Sequence, residues 1–134
     1  MTYDTPTAPR RIVMVVEDNA TNAKVLVKML EKLGYDSVVA NDGLPAIKML
    51  GDTTPDLILM DINMPGMDGI TAAREIRRLG LAPAASIIAV TAMPMTSKPD
   101  ELAEMNIDAV VNKPVRLATL ASTLERDSGS AARA

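Results

Sequence analysis

Five short apolar runs, each followed by a stretch of helical periodicity, constrain this chain more than any other feature. The runs are Ile12–Val16, 37–40, 57–60, 87–90 and 109–111. Their length and continuity suit strands buried on both faces. The stretch 20–33 puts Ala23, Leu26, Val27, Leu30 and Leu33 on one helical face. Lys24, Lys28, Glu31 and Lys32 lie elsewhere, and Gly34 stops the pattern. A short helix is expected over 44–50, ended by Gly51. Another spans 69–79, with Ile70, Ala73 and Ile76 together and Gly80 and Pro83 at its end. A weaker one covers 97–105, interrupted early by Pro99. The last, 116–126, points Leu117, Leu120 and Leu124 inward.

Strands alternating with helices make βαβ units and a parallel sheet. Right-handed crossovers put helices on both sheet faces. The expected architecture is a flavodoxin-like, doubly wound (βα)5 three-layer sandwich. Its five parallel strands should run in the order 2-1-3-4-5, with a site at the switch point between strands 1 and 3. At 134 residues the chain suits one domain. Residues 1–10 read as a flexible leader, 11–126 as the folded domain and 127–134 as a flexible tail. No internal repeat and no linker to a second domain is visible.

Composition removes whole classes of chemistry. There is no Cys, which excludes disulfides and thiolate metal sites, and no His, which excludes imidazole acid–base catalysis and most zinc sites. A net charge of −3 argues against general nucleic-acid binding. No apolar run approaches the roughly 20 residues that cross a bilayer, and no signal peptide is visible. A cytoplasmic location and no membrane partner are expected. Phe and Trp are absent, and ten Met supply adaptable aliphatic packing. Met14, Met29, Met49 and Met60 are read as core filler. Met93 and Met95 follow a strand end and are candidates for exposure.

The ends of the apolar runs carry the chemistry. Glu17 and Asp18 follow the first run. Asp61 follows the third and opens Asp61-Ile62-Asn63-Met64-Pro65-Gly66-Met67-Asp68-Gly69. Thr91 ends the fourth, and Lys113-Pro114 follows the fifth. In the expected topology these ends share one rim. Three carboxylates together repel, which should raise at least one pKa. A divalent cation relieves the repulsion, and an all-oxygen ligand set indicates Mg²⁺ or Mn²⁺. A carboxylate beside a cation, an amine and a hydroxyl suits phosphoryl transfer through an aspartyl phosphate. The amine and the hydroxyl would then balance charge on the phosphoryl oxygens.

The four pieces, in this order and on these elements, resemble the receiver domain of two-component response regulators. The resemblance covers about residues 11–126. It implies a phosphorylation-dependent signalling switch of the stand-alone type, not an enzyme, although it assists its own phosphorylation and dephosphorylation. Asp61 would be the phosphoacceptor. Asp18 and Asp61 would hold the metal, with Glu17 acting largely through water and Asn63 through its backbone carbonyl. Thr91 and Lys113 would contact the phosphoryl group, and the Lys113–Pro114 bond would be cis. The partners implied are a sensor histidine kinase or histidine phosphotransfer protein and a downstream protein target. One departure stands out: Val110 occupies the place where receivers usually carry Tyr or Phe, three residues before the lysine. The Met93-Pro94-Met95 segment is also unusual.

Other readings remain. The chain suits a receiver taken from a hybrid histidine kinase. A metal-dependent aspartyl-phosphate hydrolase usually has a second Asp two residues after its nucleophile, where this chain has Asn63. A flavin carrier of the same fold is disfavoured by the missing Phe and Trp and by the lack of a phosphate-binding loop after the first run. Taken singly, Asp18 suits a helix N-cap, Asp68 a cap or solvated charge. Asn41-Asp42-Gly43 reads as a turn.

Overall fold

The centre of the molecule is strand β3 (Leu57–Asp61), every residue of which is buried. It lies between β1 (Ile12–Val16) and β4 (Ser86–Thr91). β2 (Asp36–Ala40) and β5 (Ala109–Asn112) complete a five-stranded parallel sheet in the order β2-β1-β3-β4-β5, as expected. The computed structural model describes residues 11–64, 67–93, 95 and 98–131. The expected leader, the last three residues of the expected tail, Pro65, Gly66, Pro94, Thr96 and Ser97, the last being the first residue of the helix expected over 97–105, lie outside these.

Strand alternation divides the core into two halves. Met14, Val16, Ile58, Met60, Ile87 and Ala89 face one way, joined by Ala46 and Leu50, by Ala72, Ala73 and Ile76, and by Leu102. Those partners come from α2 (Gly43–Met49), α3 (Gly69–Arg78) and α4 (Pro99–Glu104), and Leu50 is the α2 cap. Val13, Val15, Leu57, Leu59, Ile88, Val90, Ala109 and Val111 face the other way. There they meet Leu26 and Leu30 of α1 (Ala20–Lys32) and Leu120 and Leu124 of α5 (Leu117–Ala131). Each fully buried Leu is worth about 1.5–3 kcal/mol. Met14 and Met60 are fully buried; Met29 and Met49 are half-buried against the core.

Local chemistry sets the helix ends. The amide of Tyr35 donates to Leu30 O at 2.9 Å across Gly34, whose φ is +91°. Leu81 repeats this to Ile76 O at 3.0 Å across Gly80, φ +70°. Asn106 does the same after α4 with φ +63°, a conformation Asn tolerates. At the opposite rim from Asp61, two carboxylates clip the sheet. Asp56 Oδ2 accepts from the Ile12 amide and Asp108 Oδ2 from the Ile87 amide, both at 2.8 Å.

Four local expectations are corrected. Pro99 begins α4 rather than interrupting it, because the first helical position needs no N–H donor. Leu117 is 38% exposed, since it opens α5 before the helix meets the sheet at Leu120. α5 runs to Ala131, past the expected end at 126. Once a helix is nucleated each further residue adds a hydrogen bond, and Ser and Gly cost only about 1 kcal/mol or less against Ala. Asp18 is not a cap: Asn19 caps α1, its Oδ1 accepting from the Asn22 amide at 2.9 Å. Asp68 does cap α3, and Asp42, read as part of a turn, caps α2, which begins at Gly43. No helix among the described residues is long and apolar enough to cross a membrane.

Candidate functional site

Parallel strands deliver their C-terminal ends to one rim, and the site lies there. Asp61 ends β3 with 4% of its surface exposed. Glu17 follows β1 and is 2% exposed. Its amide donates to Ala40 O at 3.0 Å, which ties it to the end of β2. Asp18, next in the chain, is exposed. Carboxylate oxygens of Glu17, Asp18 and Asp61 lie within 4.8 Å of one another. That is a hard, all-oxygen donor set, and it could hold a metal ion.

Lys113 joins the acids across the sheet. Its Nζ lies 3.3 Å from Asp61 Oδ1 and 3.5 Å from Glu17 Oε1. Strand alternation explains the meeting. Glu17 continues the Val13–Val15 series, Asp61 the Leu57–Leu59 series and Lys113 the Ala109–Val111 series, all on the α1/α5 side. The Lys113 amide donates to Thr91 O at 2.7 Å, and the following Lys113–Pro114 bond is cis, as the family resemblance implied.

Hydrogen bonds orient the carboxylates. Asp61 Oδ1 also accepts from the Asn63 amide at 3.2 Å, and Glu17 Oε2 from the Asn19 amide at 3.2 Å. The Glu17 carboxyl is held above its ordinary pKa. Burial is the main cause, and the nearby Asp61 charge adds to it. The Asn19 amide and Lys113 pull the other way. The expected upward shift is therefore present, but desolvation exceeds repulsion as its cause.

Thr91 is placed differently. It is 1% exposed and continues the Ile87–Ala89 series toward the α3/α4 side. Its hydroxyl accepts from the Met93 amide at 3.1 Å and donates to Met93 O at 3.3 Å. So the structure gathers Glu17, Asp18, Asp61, Asn63 and Lys113 through direct bonds or proximity. Thr91 stands on the same rim with its hydroxyl engaged by the β4–α4 loop. Val110 is half-buried against the α3/α4 half of the core. Met93 is 61% exposed, as its position after a strand end indicated.

The roles of Asn19 and Met93 were not read from sequence. Both act through backbone atoms, which residue identity does not advertise. A cleft of about 410 Å³ opens beside the site, its lining including Glu17, Lys113, Val25, Leu26, Val90 and Pro114.

The arrangement has many relatives. The sequence model for the response regulator receiver domain matches residues 13–125. The hybrid signal transduction protein dokA of Dictyostelium discoideum is 39% identical over 116 residues, 87% of this chain, which spans 7% of that protein's length. The polar-differentiation response regulator DivK of Brucella anthropi is 30% identical over 89% of this chain and 97% of its own. Among solved structures, the receiver domain of sensor histidine kinase PA1611 from Pseudomonas aeruginosa was crystallised with magnesium in its active-site cleft. It superposes with a TM-score of 0.79 at 32% identity, covering 90% of this chain and 99% of that one. The chain thus belongs to the response regulator receiver domain family, the signalling switch of phosphorelays.

Proposed function

We propose that this receiver accepts a phosphoryl group from a phosphohistidine onto Asp61 and changes its partner-binding surface in response. The observation that carries the reading is the Lys113 ammonium placed between two buried carboxylates, with Asp18 completing an acidic cluster at the sheet's switch point. One oxygen of Asp61 attacks phosphorus. The phosphorus–nitrogen bond to the donor imidazole breaks, and the imidazole leaves with that electron pair. Lys113, already 3.3 Å from Asp61 Oδ1, offsets charge on the transferred group. The Asn63 amide holds Oδ1 in place, leaving Oδ2 for attack. The Thr91 hydroxyl would exchange Met93 O for a phosphoryl oxygen.

The three carboxylates suit Mg²⁺, or Mn²⁺, with the Asn63 carbonyl as a further ligand. When bound, such an ion supplies neutralisation of charge between the acids and the phosphoryl oxygens. The phosphoryl donor would be a sensor histidine kinase or a histidine phosphotransfer protein, and the readout a downstream protein. We place the chain in the cytoplasm and assign it no independent enzymatic turnover. The setting we favour is a stand-alone regulator, which the match to DivK over 97% of its length supports; the same chemistry would serve a receiver within a hybrid kinase.

The test is transfer from phosphorylated histidine donors of the source organism in Mg²⁺. Label should move from the donor to this chain and should be absent in Asp61→Ala. Label on Asp61→Ala equal to wild type would overturn the assignment.

A further inference from the structure

Gly69 opens α3 directly after the Asp68 cap, and its helical backbone does not ask for glycine. A glycine in a helix is a poorer choice than alanine. The reason lies in what surrounds it. A Cβ on Gly69 would run into the carbonyl oxygen of Asp61, and it would stand 2.9 Å from Ile62 Cα and 3.0 Å from Ile62 Cδ1. Two of these three obstacles are main-chain atoms at the end of β3, which cannot swing aside.

Neither side of the contact is free to retreat. The Gly69 amide donates to Ile62 O at 3.0 Å, and the Ile62 amide donates to Val90 O at 3.1 Å. Asp68 anchors the first turn of α3, with Oδ1 accepting from the Thr71 amide at 2.9 Å and Oδ2 from its hydroxyl at 3.1 Å. The peptide pressed by a Cβ would be Asp61–Ile62. That peptide carries the Asp61 carboxylate toward Lys113 and leads straight to the Asn63 amide, which bonds Asp61 Oδ1.

We propose that Gly69 is a positioning residue for phosphoryl transfer: its missing side chain sets how the end of β3 presents Asp61. This rests on Asp61 being the phosphoacceptor. The chain holds its own control. Gly43 occupies the same first position in α2, after the Asp42 cap. A Cβ there would meet Met67 Sδ at 2.9 Å and Cγ at 3.1 Å, and Ala72 Cβ at 3.2 Å. The closest obstacle is a flexible thioether that can rotate away.

The experiment compares wild type, Gly69→Ala and Gly43→Ala. Each is phosphorylated by acetyl phosphate at saturating Mg²⁺, and each is examined by ¹⁹F NMR of its beryllofluoride complex. In Gly69→Ala the rate should fall about 10- to 100-fold and the bound fluoride resonances should shift. Gly43→Ala should stay within about twofold, with unshifted resonances. Simple destabilisation would lower amplitudes without moving them. A folded Gly69→Ala with wild-type rate and wild-type resonances overturns the proposal. If Gly69→Ala does not fold, Asp68→Ala decides instead. It frees the first turn of α3 without adding bulk, so it should slow phosphorylation and shift the same resonances; no change in either overturns the proposal. Failure of the underlying reading looks different, because wild type would then take no label or Asp61→Ala would still take it.

Discussion

Removing the Lys113 charge tests how the acidic rim is held when no divalent cation is supplied. In Lys113→Met the stem remains and the ammonium goes. Its two pairs, at 3.3 Å and 3.5 Å, are each worth about 5 kcal/mol of attraction at an effective dielectric of 20. Desolvation of the ammonium offsets part of this, and the side chain is still 27% exposed, so water screens the rest. Breaking a buried pair costs about 3–5 kcal/mol, and the lower end suits this half-open site. We therefore expect a loss of about 3 kcal/mol at pH 7 in EDTA. The loss should shrink on acidification, because Glu17, whose pKa is raised, can then take a proton instead of repelling its neighbour. Mg²⁺ at 100 times its Kd should return about 2.7 kcal/mol. Urea unfolding at pH 7 and pH 5, with EDTA or Mg²⁺, measures all of these. A variant within about 0.5 kcal/mol of wild type at pH 7 in EDTA would refute the reasoning, since that is the size of an ordinary surface change.

Three further outcomes are expected. Glu17 has a raised pKa in the folded state, so the native protein binds more protons than the unfolded chain above the ordinary value of 4.5. Metal-free stability should thus fall as pH rises from 4.5 through the raised pKa, and Glu17→Gln should flatten that slope in urea titrations against pH. Arg77→Ala should cost about 2–3 kcal/mol, because the guanidinium donates to Ala82 O at 3.0 Å and to Ala85 O and faces Asp108 at 3.6 Å. Ala82 sits at φ +44°, so thermal melts should show the loss and amide exchange should place it at 82–87. With Val110 where a ring usually sits, the response should travel from Thr91 through Met93 into the short helix α4. Beryllofluoride should change amide exchange at Ala92, Met93, Met95 and α4 and at β5 and α5, and changes confined to α1 would place the switch elsewhere.

The order of the sheet and the rim of the site were legible because both rest on periodicity. Apolar runs such as 57–60 could only be buried strands, and the residues that follow them had to share one edge. What was not legible depends on main-chain contacts. The Asn19 amide on Glu17 and the Met93 peptide on Thr91 leave no trace in residue type. Pro99 looked like a breaker because its place as first helical residue depends on where α4 begins. Leu117 fits the apolar stripe by spacing, yet the sheet meets α5 one turn later, at Leu120. The cause of the Glu17 shift was misjudged in weight, since repulsion is visible in sequence and burial is not.

The most direct measurement is site mapping of the covalent adduct. The protein is incubated with acetyl phosphate and Mg²⁺, and intact and fragment masses are recorded for wild type and Asp61→Asn. We predict one phosphoryl group, carried by Asp61 and absent from the variant. A phosphoryl group on any other residue of wild type, or equal uptake by Asp61→Asn, would contradict the assignment of Asp61.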